Sequence, residues 1–273
     1  KHVPTPIQTA EWLQTQKLLP LEENHPEIIR IAKVLGATFA DGGIFGNLNA
    51  IFLSSSELEA VQEFGEDLKK IFGPEIEENS RIIEGGEYGH SWCYQNTNRN
   101  VIRFFKALGS PIGRKSQIEL IVPEWVFCKE PIVDNFVGSI VGGDGGIPKY
   151  VCGNTTAINI GITGREHLWR NRIEFFESLR RYFTMKGIST NKIYITPFKD
   201  SNIFRLPLAS TLDNFIKFEK GVPMNYCKYK QDKLRKCIKL WKIYKSHQIF
   251  DMSERKKRNA LRKPRREKRD IHL

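Results

Sequence analysis

Two aspartates are placed for chemistry. Asp41 stands in Val34-Leu35-Gly36-Ala37-Thr38-Phe39-Ala40-Asp41-Gly42-Gly43-Ile44, and Asp144 in Val137-Gly138-Ser139-Ile140-Val141-Gly142-Gly143-Asp144-Gly145-Gly146-Ile147, so one short pattern occurs twice. The two aspartates are 103 positions apart. Solenoid units recur every ~20–50 residues, so this spacing suits two fused copies of one small domain. Upstream of Asp41, Ile28, Ile31, Leu35 and Phe39 fall on one helical stripe that starts near Pro26. Gly36 and Ala40 are four apart, as are Ser139 and Gly143, so each helix carries a strip of small residues along which the pair can pack closely. Such packing sets Asp41 beside Asp144 at the foot of the pair. Two carboxylates forced together near helix C-termini repel unless a cation lies between them. Hard oxygen ligands of this kind favour Mg2+. A lone Asp-Gly after a helix is more often a solvated cap. Its recurrence at domain spacing, on small-residue helices, is what favours a metal site.

The elements around the aspartates repeat as well. After Asp41 come an apolar strand over 49–53 and a helix opening at Ser56, with Glu59 as its capping-box partner, that runs through Leu68 to Phe72. After Asp144 a strand alternates through Ala157, Asn159 and Gly161, and a helix opens at Thr163 with Glu166 as partner and runs to Phe183. Short strands follow in each copy, at 81–83 and 91–94 and at 192–195 and 203–206. Helices over 100–108 and 211–218 close the copies at Gly109-Ser110-Pro111 and Gly221-Val222-Pro223. The expected class is α+β. Its divisions are an N-terminal extension (1–25), a first unit (26–130), a second unit (131–250) and a basic tail (251–273).

On these residues the sequence resembles the single-chain, two-repeat LAGLIDADG homing endonucleases, whose signature helix reads Leu-Ala-Gly-Leu-Ile-Asp-Ala-Asp-Gly. Asp41 and Asp144 match its second acidic position. Two more stretches are similar to the archaeal and intein-associated branch: Ala107-Leu108-Gly109-Ser110-Pro111-Ile112-Gly113-Arg114-Lys115-Ser116 leading to Val122-Pro123-Glu124-Trp125, and Met224-Asn225-Tyr226-Cys227-Lys228-Tyr229-Lys230. The likeness spans about residues 26–245. It departs from the pattern at the first acidic position, which is Phe39 in one copy and Gly142 in the other, and at the interface glycine, which is Ser139 in the second copy.

The resemblance implies two pseudo-symmetric αββαββα repeats whose antiparallel sheets form a saddle over double-stranded DNA. It implies site-specific double-strand cleavage of a long asymmetric target by a monomer, through divalent-metal hydrolysis. Mg2+ is the expected metal, with Mn2+ able to substitute, held at Asp41 and Asp144 with the adjoining Gly42 and Gly145. Each family site also keeps a basic residue: by resemblance Lys115 in the first repeat and Lys228 or Lys230, with Lys230 preferred, in the second. An intein begins with Cys or Ser and ends in His-Asn. Lys1 and His272-Leu273 at the ends therefore imply a free-standing, intron-encoded or excised endonuclease.

The formal charge of +12 is an end feature, because residues 224–273 hold 18 Lys and Arg against 5 Asp and Glu. Arg255, Lys256, Lys257, Arg258, Arg265 and Arg266 are candidate nucleic-acid contacts in that run. Tyr226, Tyr229, Trp241 and Tyr244 interleave with these lysines, although Leu234, Ile238 and Trp241 fit an ordinary amphipathic helix better. The five cysteines, widely spaced and without a Cys-x-x-Cys pair, suit reduced thiols in an intracellular protein. No ~18-residue charge-free apolar run is present, so no membrane partner is expected. The six histidines show no His-Glu-x-x-His or His-Asn-His pattern. The rival reading is a nucleic-acid-binding protein that does not cleave, either a maturase with intron RNA as partner or a transcriptional regulator. A basic structural protein that binds through its tail alone is a third.

Overall fold

Helix α2 (Ile28–Phe39) forms on the apolar stripe foreseen above and is buried over most of its surface, as is α5 (Glu130–Asp144). The two lie against each other as the central contact of the molecule. The computed structural model describes residues 4–85, 90–151 and 154–261. In a first half, α2 is followed by β1 (Gly42–Ile44), β2 (Ile51–Ser55), α3 (Leu58–Phe72), β3 (Ser80–Glu84), β4 (Trp92–Asn96) and α4 (Arg99–Ala107). In a second half, α5 is followed by a small hairpin of β5 (Tyr150–Val151) and β6 (Asn154–Thr155), then β7 (Asn159–Gly164), α6 (Trp169–Met185), β8 (Tyr194–Phe198), β9 (Ser201–Pro207) and α7 (Leu212–Gly221). The class is α+β with antiparallel sheets, ordered β1-β2-β4-β3 and β7-β9-β8.

The halves differ where β1 should recur. Among the described residues Gly145 makes a single bridge to Ile160, and the second sheet has three strands instead of four. Ahead of the first half, α1 (Pro6–Thr15) is closed by a Thr5–Gln8 capping box, stacks Trp12 on Phe72 at 5.7 Å between ring centroids and buries Leu13.

Neither capping box expected in the units forms. Strand β2 runs on to Ser55, which leaves Ser56 in the turn; α3 starts at Leu58 with no side-chain cap, and the Ser55 hydroxyl accepts from the Glu57 N–H at 3.1 Å instead. Thr163 sits inside β7 opposite Ile203, Glu166 falls in a short 3-10 turn, and α6 begins only at Trp169. In both places pairing with a distant strand outweighs a local cap worth ~1 kcal/mol. The same pairing moves two strands two residues later than expected, to begin at Ile51 and Tyr194.

Beyond the second half, helix α8 (Lys228–Leu261) docks Leu234, Ile238 and Trp241, with Trp241 edge-on to Phe215 at 5.4 Å. The expected tail from 251 is a continuation of this helix up to Leu261, so Arg255, Lys256, Lys257 and Arg258 belong to α8. Arg265 and Arg266 lie outside the described residues, as does Cys152. Among the described residues no helix is long and apolar enough to cross a membrane.

Candidate active site at the foot of the helix pair

The α2–α5 crossing is as close as the small residues allow. A Cβ on Gly36 would overlap the Phe136 carbonyl, and one on Gly143 would lie 2.5 Å from the Ala40 Cβ and 3.2 Å from the Asp41 Oδ2. Ser139, the substituted motif glycine, is buried, with its hydroxyl donating to the Asn135 carbonyl at 3.0 Å and accepting from Asn225 Nδ2 at 3.1 Å. The two departures from the acidic position are also packing positions. Phe39 is buried against Phe136 and Phe175 (5.2 and 6.2 Å), and Gly142 leaves no room for a Cβ beneath the Asn225 carbonyl.

This packing brings Asp41, just past the end of α2, together with Asp144, the last residue of α5. Burial raises the Asp144 carboxyl to about 7, and the charge of Asp41 adds to the rise, against the opposing pull of Lys115 and Lys230.

Lysines occupy matching places at the two helix ends. Lys115 Nζ donates to the carbonyls of Ala40, Gly42 (2.5 Å) and Thr38 (3.4 Å). Lys230 Nζ donates to those of Gly142 (2.6 Å) and Gly143. Each ammonium therefore meets the negative end of a helix. Burial lowers the Lys115 pKa, against the pull of Asp144 and Asp41. Lys228, the competing candidate, is exposed at the first position of α8. Of the glycines expected beside the metal, Gly42 gives its carbonyl to Lys115, and Gly145 is buried with its N–H on the Val141 carbonyl at 2.9 Å.

Because the lysines hold carbonyls, the carboxylates remain open. Among the described residues neither Asp41 nor Asp144 has a side-chain hydrogen bond or an ion pair within 4 Å, and no cluster of three or more His, Cys, Asp or Glu groups forms a fuller cage. Two free carboxylates, one with a suppressed charge, fit Mg2+, which binds through one or two carboxylates and leaves its other positions to water and phosphate oxygens. A pocket of about 260 Å³ opens beside Asp41, lined also by Glu57, Gly143, Tyr226 and Lys230.

Strand register decides which sheet side chains face away from the core. In the first sheet Leu53 and Tyr94 point inward, so Phe52, Ser54, Arg81, Ile83, Cys93 and Gln95 share the outer face, where Arg81 Nη2 donates to Gln95 Oε1 at 2.8 Å. In the second, Ile160, Ile162 and Phe204 point inward, and Tyr194, Thr196, Ile203 and Arg205 point outward. These outer residues escape sequence reasoning because a slip of one residue inverts the face.

No protein-family profile matches the sequence. The chain is 25% identical over 229 residues to the tRNA-splicing ligase RtcB of Pyrococcus abyssi, covering 80% of this chain and 24% of that protein. It is 25% identical over 143 residues to the RNA polymerase subunit Rpo1N of Methanocaldococcus jannaschii, covering 46% of this chain and 11% of that one. It thus spans at most about a quarter of either relative's length. Among solved structures it is similar to the homing endonuclease I-DmoI in complex with DNA and Ca (TM-score 0.48, 13% identity, 72% of this chain and 90% of that one). It is also similar to full-length DUF199/WhiA from Thermatoga maritima (TM-score 0.46, 13% identity, 90% and 73%).

Two residues that touch the segments carrying the site lysines leave no signal in the sequence. Arg172 on α6 is fully buried and donates to the backbone carbonyl of Lys115 at 2.5 Å, and Asp67 on α3 accepts from the Tyr226 hydroxyl at 2.8 Å. A charged residue on an amphipathic helix reads as solvated until its partner, 57 or 159 positions away, is known. Tyr226, one of the aromatics that could have served nucleic acid, is buried in this contact.

Proposed function

We propose that the chain is a site-specific DNA endonuclease of the LAGLIDADG homing type, acting as a single chain on a long double-stranded target with a divalent cation, Mg2+ or Mn2+. The observation that carries the reading is the juxtaposition of Asp41 and Asp144 at one end of a helix pair, with Lys115 and Lys230 held at equivalent helix termini. Asp41 and Asp144 hold the cation. A divalent cation bound there polarises a phosphoryl oxygen and lowers the pKa of water. Lys115 and Lys230 place their amino groups at the two helix ends, where a phosphodiester gains negative charge during cleavage. The outer faces of the two sheets read base edges, with Arg81 and Arg205 as bidentate donors. The basic positions of α8 hold phosphates.

The sequence relatives support a mobile module. They carry unrelated names, a ligase and a polymerase subunit, and share with this chain only a minor stretch of their length. A segment shared by proteins of unlike activity is what a self-contained module, separate from the work of either, would leave.

The test is cleavage of a plasmid library carrying randomised targets in Mg2+ or Mn2+, with EDTA as control. Cutting at one long motif, lost in Asp41→Asn and Asp144→Asn proteins that still bind DNA, establishes the nuclease. DNA or RNA binding without any cutting replaces it with the maturase or regulator reading.

A further inference from the structure

The two site lysines are not fixed by their own halves alone. Lys115 lies in the connection that leaves the first half, in a turn over Lys115–Gln117. The second half grips this turn. Arg172 Nη2 donates to the carbonyls of Lys115 (2.5 Å) and Ile118 (2.9 Å), while Nη1 donates to Asn171 Oδ1 (2.5 Å). Asn171 in turn exchanges two hydrogen bonds with the backbone of Leu120, and the Arg165 N–H donates to the Ser116 carbonyl at 3.0 Å. Among the described residues the Arg172 guanidinium has no ion pair within 4 Å and donates only to neutral oxygens, and burial lowers its pKa to about 10 against the pull of the Glu119 charge. A charge buried in this way is a poor source of stability. What it secures is the path of a turn whose lysine must reach a helix end.

Lys230 shows the reverse arrangement. It follows the second half, and the segment leading to it enters the first half through Tyr226, whose hydroxyl donates to Asp67 Oδ2 on α3 and whose ring lies edge-on to Phe64 at 5.7 Å. Lys33 Nζ bonds the same carboxylate at 2.6 Å, and Arg30 Nε donates to its other oxygen at 3.2 Å. Tyr226 adopts a left-handed backbone (φ 57°), a conformation that a non-glycine residue keeps only when its surroundings hold it. Helices α3 and α6 occupy the same place in their halves, each after the strands that follow the central helix.

We infer that Arg172 and the Asp67–Tyr226 pair are reciprocal positioning residues, through which each half sets the active-site lysine carried by the other. The inference rests on the endonuclease reading of Lys115 and Lys230, and it makes the geometry of each strand's cleavage depend on both halves. A half with intact carboxylate and sheet would still lack a correctly placed lysine.

The test reads lysine position directly and strand cutting separately. Metal-free full-length protein is treated with acetic anhydride, and acylation of Lys115 and Lys230 is followed by mass spectrometry. Arg172→Met is expected to raise Lys115 acylation severalfold with Lys230 unchanged. Asp67→Asn and Tyr226→Phe are expected to do the opposite. Arg172→Lys keeps the charge but cannot reach both carbonyls, and it replaces the Met variant if that protein does not fold. On a plasmid target, each class of variant is expected to accumulate nicked circles cut in opposite strands, with unchanged DNA affinity. Acylation that rises at both lysines together, or at neither, overturns the inference. If the wild-type protein cuts no DNA, the endonuclease reading fails by itself, and the acylation pattern still decides whether the brace exists.

Discussion

Ala40 and Gly143 face each other across the helix pair so closely that a methyl group on Gly143 would lie 2.5 Å from the Ala40 Cβ and within 3.2 Å of the Asp41 carboxylate. Any side chain there must push α2 from α5 or displace Asp41. Gly143→Ala is expected to lower stability by about 1–3 kcal/mol. Gly36→Ala, which meets the fixed Phe136 carbonyl, should reach the top of that range or exceed it. Urea unfolding of both variants checks this, and a Gly143→Ala protein of wild-type stability would mean that the helices are not in such contact.

Asp144 gives the metal-free protein a pH signature. Its folded pKa, about 7, stands above the ordinary 3.8, so between these values the folded state binds more protons than the unfolded one. The stabilising contribution is full below about pH 4 and is lost as pH rises through about 7. The melting temperature in EDTA should therefore fall across this window, and Asp144→Asn should flatten the fall. Mg2+ should raise the melting temperature more at pH 8 than at pH 5, since the carboxylate binds it only when ionised.

Lys228 and Lys230 separate cleanly by substitution. Lys230→Met removes the ammonium at the α5 terminus, and cleavage of one strand should fall by about 10²–10³-fold, the scale of losing one donor to a developing oxyanion. Lys228→Met, which changes an exposed side chain, should cleave at the wild-type rate. Equal losses in both variants would show that the helix-terminus contact of Lys230 is not the functional one.

On the sheets, Arg81→Ala and Arg205→Ala should each relax base preference at one target position by about 1–3 kcal/mol without abolishing cutting. A cleavage-specificity profile over all single-base target variants reads this directly. A uniform loss over every target would make the two arginines phosphate contacts.

Deleting residues 251–273 removes the strongest basic run but none of the docked core residues Leu234, Ile238 and Trp241. Binding should weaken and become less salt-sensitive, with each lost phosphate contact lowering the salt slope by about 0.9. Complete loss of affinity would place binding in the tail alone.

What could be read from the chain alone is local and periodic. The stripe of Ile28, Ile31, Leu35 and Phe39, the four-residue spacing of Gly36 and Ala40, and the recurrence of Asp-Gly-Gly all lie within one or two helical turns, so spacing alone exposes them. The α+β class, the close helix pair and the meeting of Asp41 with Asp144 follow from these features. Tertiary structure decided the rest. Ser56 and Thr163 carry good capping signals, but the strands that end or run past them gain partners far along the chain. Lys230 sits at the α5 terminus and Lys228 outside it because the turn over Met224–Cys227 and the docking of Leu234 and Trp241 set the rotation of α8. Sheet faces depend on register, and register on pairing. Arg172 and Asp67 look like surface charges until helices from opposite halves meet the segments they hold, because a long-range hydrogen bond leaves no trace in the spacing of either partner.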